Sequence, residues 1–204
     1  MPASVAFAVV LAGALALGLA PAAAQSTKAQ QAIDLCDSVG DVPPKEGLER
    51  AAKGLALAEQ AVAENDLDAE AHYAVFCNLG REIENARINT GTLSKLKRVR
   101  REVDRALELR PDYVEALMGK GSLLVNTPRF FGGDVAGGEK LLRRAIELEP
   151  SHLQAHLQLA KSLAARGAKA EARAEAKTAL EIAEARNKAE TAADARAVLA
   201  KLND

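Results

Sequence analysis

The stretch Arg110–Ala165, RPDYVEALMGKGSLLVNTPRFFGGDVAGGEKLLRRAIELEPSHLQAHLQLAKSLAA, decides the fold. It reads as a helix, a loop of Pro, Phe and Gly, a second helix closed by Pro150, and then the start of the same unit again. Slid forward by 39 residues, Ala106, Leu107, Pro111, Ala116 and Leu124 fall on Ala145, Ile146, Pro150, Ala155 and Leu163. A further shift of 34 carries Gly138, Leu142, Ala145 and Ile146 onto Ala172, Ala176, Ala179 and Leu180. A backward shift of 45 takes Ala106, Leu107, Ala116 and Leu124 to Ala61, Val62, Ala71 and Leu79. Three registers agree, so the chain is a repeat array.

Paired helices on a 34-residue period, with small residues where helices cross and a proline closing the second helix, resemble the tetratricopeptide repeat (TPR). Ala116, Gly121, Leu124, Ala145 and Pro150 carry the resemblance in one unit, and Ala155, Leu159, Ala160, Leu163, Ala172 and Ala179 in the next. It implies an all-α, right-handed superhelix of about four helix-turn-helix repeats plus a C-terminal capping helix. The repeats fall at approximately 27–66, 67–111, 112–150 and 151–185, and the cap at 187–202. Two units are lengthened, by 5 and 11 residues, and the aromatic expected early in each first helix is replaced by His72, Leu117 and His156.

Residues 1–24 read as a secretory signal peptide: an uncharged apolar run from Val5 to Ala20, then Pro21 and the small residues Ala22, Ala23 and Ala24 before Gln25. No Lys or Arg precedes the run, and an uncleaved anchor is the competing reading. The expected product is periplasmic or secreted, without stable membrane insertion after cleavage. Cys36 and Cys77 are the only cysteines. In an oxidising compartment they can pair, which stabilises a fold by roughly 3 to 4 kcal/mol; two unrelated buried thiols are the alternative.

With 27 basic and 28 acidic residues, global charge points to neither nucleic acid nor an anionic membrane. Aromatics are 3% with no Trp, so a partner must be held by few residues. The helix Leu93–Leu109, with Thr92 as its expected N-cap, carries a basic face that includes Lys95, Arg98, Arg101 and Arg105. A solvated face is its ordinary reading, and docking of an acidic partner the sharper one.

His152 and His156 lie four apart, but no HExxH glutamate and no third ligand accompanies them. The chain has no GxSxG, Walker loop or dinucleotide fingerprint, so no catalytic centre, metal or cofactor is expected. The expected function is a non-enzymatic scaffold that binds a peptide or protein. In the repeat family the first helix of each unit lines the concave surface. Carried over residue by residue, this gives Glu70, Tyr73, Cys77 and Arg81, then Glu115, Met118, Ser122 and Asn126, then Gln154, Leu157 and Lys161.

The loop Asn126–Asp134 is a further candidate site, through Arg129, Phe130 and Phe131. The competing expectation is that at least one ring plugs the gap opened by the five extra residues. Asp134 is the expected N-cap of the next helix, with Gly132 and Gly133 supplying positive φ before it. The Gly-Gly-Asp also resembles loops of periplasmic repeat proteins that accompany tripartite solute transporters. That resemblance implies an alternative function as a small-ligand-binding accessory component.

Overall fold

Ala61, Ala106, Ala145 and Ala179 are all fully buried, so the four positions that the shifts of 45, 39 and 34 superimpose share one environment. Ala71, Ala116 and Ala155, on the other helix of their units, are equally enclosed. These alanines mark helix crossings where a larger side chain would push the backbones apart.

The computed structural model describes residues 27–84 and 90–202. Its helices are α1 (Thr27–Asp37), α2 (Pro44–Glu64), α3 (Ala69–Glu84), α4 (Thr90–Leu109), α5 (Val114–Asn126), α6 (Val135–Leu148), α7 (Leu153–Ala165), α8 (Lys169–Ala185) and α9 (Ala189–Lys201). Short 3-10 turns lie at Ser38–Asp41 and Arg129–Phe131. The expected signal peptide lies outside the described residues. Neighbours pack in sequence: α1 on α2, α3 on α4, α5 on α6, α7 on α8, with α9 closing the end against α8 and α7. Each odd-numbered helix also touches the next odd-numbered one, which sets α1, α3, α5, α7 and α9 in one layer.

Local chemistry fixes the helix ends. Pro44 opens α2, where its missing N–H leaves no hydrogen bond unmade. Asp68 Oδ1 accepts from the amides of Glu70 (2.9 Å) and Ala71 (3.4 Å) at the start of α3. Asp134 Oδ1 accepts from Gly137 N (3.0 Å) at the start of α6, as its residue type predicts. Thr92 is not an N-cap, because α4 already includes Thr90. Gly167, at φ +83°, ends α7, and Ala168 N donates to Leu163 O (2.9 Å). Asn187, at φ +55°, ends α8 in the same way, with Lys188 N donating to Ala183 O (2.8 Å).

Helical spacing predicts Leu48, Ala51, Ala52, Leu55, Ala58, Ala61 and Val62 as the apolar side of α2, and the buried side is rotated from it. Leu48 is 40% exposed and Ala52 is exposed, while Gly47, Ala51, Gly54, Ala58 and Ala61 are buried. Close approach is the cause: a Cβ on Gly54 would overlap Asn78 Oδ1, and one on Gly47 would lie 3.0 Å from Val39 O. Gly121 and Gly138 similarly let α5 and α6 meet, since a Cβ on Gly121 would lie 2.8 Å from Leu142 Cγ.

Two larger apolar cores lie between the helices, with smaller clusters beside them. One joins α1–α4 to the start of α5 through Tyr73, Val75, Val103, Tyr113 and Ala116; the other runs from α6 to the cap through Leu142, Leu157, Leu159 and Leu163. They meet at α5, where the packing between α4 and α5 is sparse. Cys36 and Cys77 are joined by a disulfide that ties α1 to α3, with Cα atoms 6.1 Å apart. Ala192, Ala195, Val198 and Leu202 of the final segment are buried and cover the last apolar face.

Candidate functional site

The odd-helix layer separates the expected concave residues into two groups. Arg81, Glu115, Asn126 and Gln154 remain outside the core, while Met118 is half-buried against it. Asn126 Nδ2 donates to Ser122 O (2.9 Å) and to Gln158 Oε1 (3.3 Å), which joins α5 to α7 through polar groups. At the α1 end, Asp37 is exposed, yet the surrounding protein still pushes its carboxyl above the usual range. Arg81 draws it back and Asp34 and Glu115 add to the rise, so α1, α3 and α5 place their charges within reach of one another.

Tyr73 and Leu157, expected on the concave surface, lie in the core instead. Tyr73 is 4% exposed, edge-on to Tyr113 at 5.2 Å between ring centroids and tilted against Phe76 at 5.8 Å. Burial pushes its hydroxyl far above the ordinary tyrosine value. Leu157 is 2% exposed inside the second core. A strip beside a helix crossing is swallowed wherever the neighbouring first helix comes close, and the repeat period does not report that distance. Glu70 is buried against Arg110 Nη2 (3.0 Å), and Arg110 also lies 4.4 Å above the Tyr113 ring. Cys77 is in the disulfide. Lys161 Nζ is paired with Asp194 of α9 at 2.7 Å, so the cap holds its charge.

Phe130 is 92% exposed and Phe131 43%, so neither ring fills a gap. The backbone fills it instead: Phe131 N and Gly133 N both donate to Pro128 O (2.9 and 3.1 Å), and Asp134 N donates to Leu124 O (3.1 Å). Gly132 takes φ +83° as expected; Gly133 does not, and is needed because a Cβ there would overlap Thr127 O. The two rings meet edge-to-face at 5.3 Å, with Phe130 standing clear of the turn and Phe131 partly covered.

The basic side of α4 is largely neutralised. Arg98 pairs with Glu59 (2.7 Å), Lys95 with Glu82 (2.6 Å), Arg101 with Glu102 (3.2 Å) and Arg105 with Glu108 (3.3 Å). Two of the histidines are engaged at both ring nitrogens. His72 Nδ1 faces Glu102 Oε2 (2.8 Å) and its Nε2 faces Asp66 O (3.1 Å). His156 Nδ1 faces Glu175 Oε2 (2.6 Å) and its Nε2 faces Pro150 O (2.9 Å). Two oxygen acceptors on one ring call for two N–H donors, which only the imidazolium supplies. The Glu102 hydrogen bond accordingly raises His72 above its ordinary value; for His156 burial opposes the charge but the Glu175 and Pro150 bonds outweigh it. His152 is spent as an N-cap, its Nδ1 accepting from Ala155 N (3.2 Å).

No family model and no curated protein matches the chain. Solved structures do. The crystal structure of TTC0263, a thermophilic TPR protein in Thermus thermophilus, is similar with a TM-score of 0.54 and 21% identity over 85% of this chain and 89% of that one. A double mutant of MamA RS-1 is similar with a TM-score of 0.50 and 15% identity over 88% of this chain and 97% of that one. At such identities the likeness is one of fold. The nine described helices, packed sequentially in pairs, have the architecture of a tetratricopeptide-repeat protein.

Proposed function

We propose that this chain is an exported, non-enzymatic scaffold that holds an extended peptide or protein segment along the layer of odd-numbered helices. The observation that carries the reading is a polar strip on that layer: the charges of Asp37, Arg81 and Glu115 reach one another across α1, α3 and α5, and Asn126 of α5 is bonded to Gln158 of α7. Main-chain amides and carbonyls of an extended segment need hydrogen-bonding side chains at intervals, and Asn126, Gln154 and Gln158 supply both donors and acceptors. Export is supported by the apolar run Val5–Ala20 and by a disulfide in a chain with no other cysteine. Affinity capture with crosslinking from the native envelope tests the reading, comparing the natural chain with Arg81→Glu and Asn126→Ala. Loss of the crosslinked partner in both variants is expected. Undiminished recovery would remove the strip as the site.

A further inference from the structure

We infer that the turn Arg129–Phe131 is a second docking surface, separate from the strip on the odd-numbered helices, and that its partner is an acidic segment with an apolar side chain beside its carboxylates. Among the described arginines, only the side chains of Arg100 and Arg129 make no ion pair or hydrogen bond, and both residues adjoin the exposed phenylalanines. Arg129 heads the turn. Arg100 reaches from α4 beneath it: its Nη1 packs against Gly132, and its Nε and Nη2 are buried without a partner. Asp104, one helical turn beyond Arg100, is held by Lys120 Nζ (2.7 Å), and Asp134 caps α6.

A guanidinium left unneutralised in low dielectric projects its charge over several ångströms. The rim of the turn is therefore positive as well as apolar. The turn that carries the rings is held, since three backbone hydrogen bonds and the close fit of Gly133 fix its main chain. Val135, 44% exposed, extends the apolar rim. An aromatic side chain has only two torsions to order on binding, and a ring bordered by an unpaired arginine suits an apolar side chain flanked by Asp or Glu. A lipid surface fits less well, because attraction to anionic headgroups takes a cluster of basic residues and Asp134 lies on the same rim.

The test is selection of a random displayed-peptide library on the full disulfide-bonded chain, followed by titration of the recovered peptides against variants. Peptides rich in Asp or Glu next to Leu, Ile or Phe are expected. Phe130→Ala and Arg129→Glu should each weaken them by about tenfold or more. Arg100→Gln should weaken them less while flattening the salt dependence. Phe130 is exposed, so its variant keeps the helical circular-dichroism spectrum and a loss cannot be attributed to unfolding. Recovered peptides without acidic bias, or affinities unchanged in Phe130→Ala and Arg129→Glu, overturn the inference. Sensitivity to Arg81→Glu alone overturns it too, while leaving the proposed strip standing. So does Phe130-dependent binding to phosphatidylglycerol-containing vesicles in place of peptide.

Discussion

Leu117 and Leu141 occupy, in the third unit, the two positions at which the units on either side hold a buried histidine and a glutamate. The shifts of 45 and 39 carry His72 to Leu117 and on to His156, and those of 39 and 34 carry Glu102 to Leu141 and on to Glu175. Leu117 and Leu141 share one apolar cluster, while the flanking units bridge the same helix pair with an imidazolium–carboxylate contact. One crossing in the array thus admits either of two chemistries, and the polar version ties stability to pH.

The direction of that dependence follows from the shifts. His72 and His156 are raised above 6.5, so their contribution is complete below that value and fades as the pH climbs through the raised ones. Burial opposes the charge of Glu102 and Glu139, but hydrogen bonds from His72 and Arg101, and from Arg166 and Ser162, hold both below 4.5. Their contribution is complete above 4.5 and fades as the pH falls through the lowered values. Urea midpoints should be highest between pH 4.5 and 6.5 and should decline on the alkaline side. A midpoint still rising above neutral pH would contradict the imidazolium assignment.

Transplanting the third unit's solution is expected to separate the pair from its parts. His72→Leu alone leaves Glu102 buried without its main partner and should cost about 3 kcal/mol, whereas His72→Leu with Glu102→Leu should cost less than the sum of the two single changes. The double variant should also lose part of the alkaline decline. Denaturant titrations of the four proteins complete the cycle, and strict additivity would show that the two side chains are not coupled.

Gly54→Ala should destabilise the chain by about 1 to 3 kcal/mol, although alanine is the better helix former. The new methyl would overlap Asn78 Oδ1, and Asn78 is fully buried with Nδ2 donating to Ala32 O and Ala74 O, each at 2.9 Å. Gly40→Ala, with nothing within 4 Å of its new Cβ, serves as the control and should shift the melting temperature little. Equal effects at the two sites would mean that α2 and α3 are not so closely apposed.

Thiol titration of denatured, unreduced protein should find no free thiol, because Cys36 and Cys77 are bonded across 41 residues of sequence. Replacing both by serine should lower the unfolding free energy by about 4 kcal/mol, the chain-entropy value for a loop of that length. Two reactive thiols would remove the bond, and with it one support for an oxidising compartment.

The sequence by itself determined what short-range chemistry controls. The shifts of 45, 39 and 34 located the crossings at Ala61, Ala106, Ala145 and Ala179. Asp134 announced a helix start and Gly132 a left-handed turn, because a cap bonds amides within three residues and a left-handed turn is a property of one residue. Tertiary structure decided what depends on how near one helix lies to another. It buried Gly47 and Gly54 in place of Leu48, and took Tyr73 and Leu157 into the core. It left Phe130 and Phe131 outside, because the turn closes on its own backbone. It also brought Glu102 to His72 and Arg100 to Gly132 across gaps of 30 and 32 residues, which no local pattern records. A periodic pattern names the face that turns inward, and helix separation decides how far that face extends.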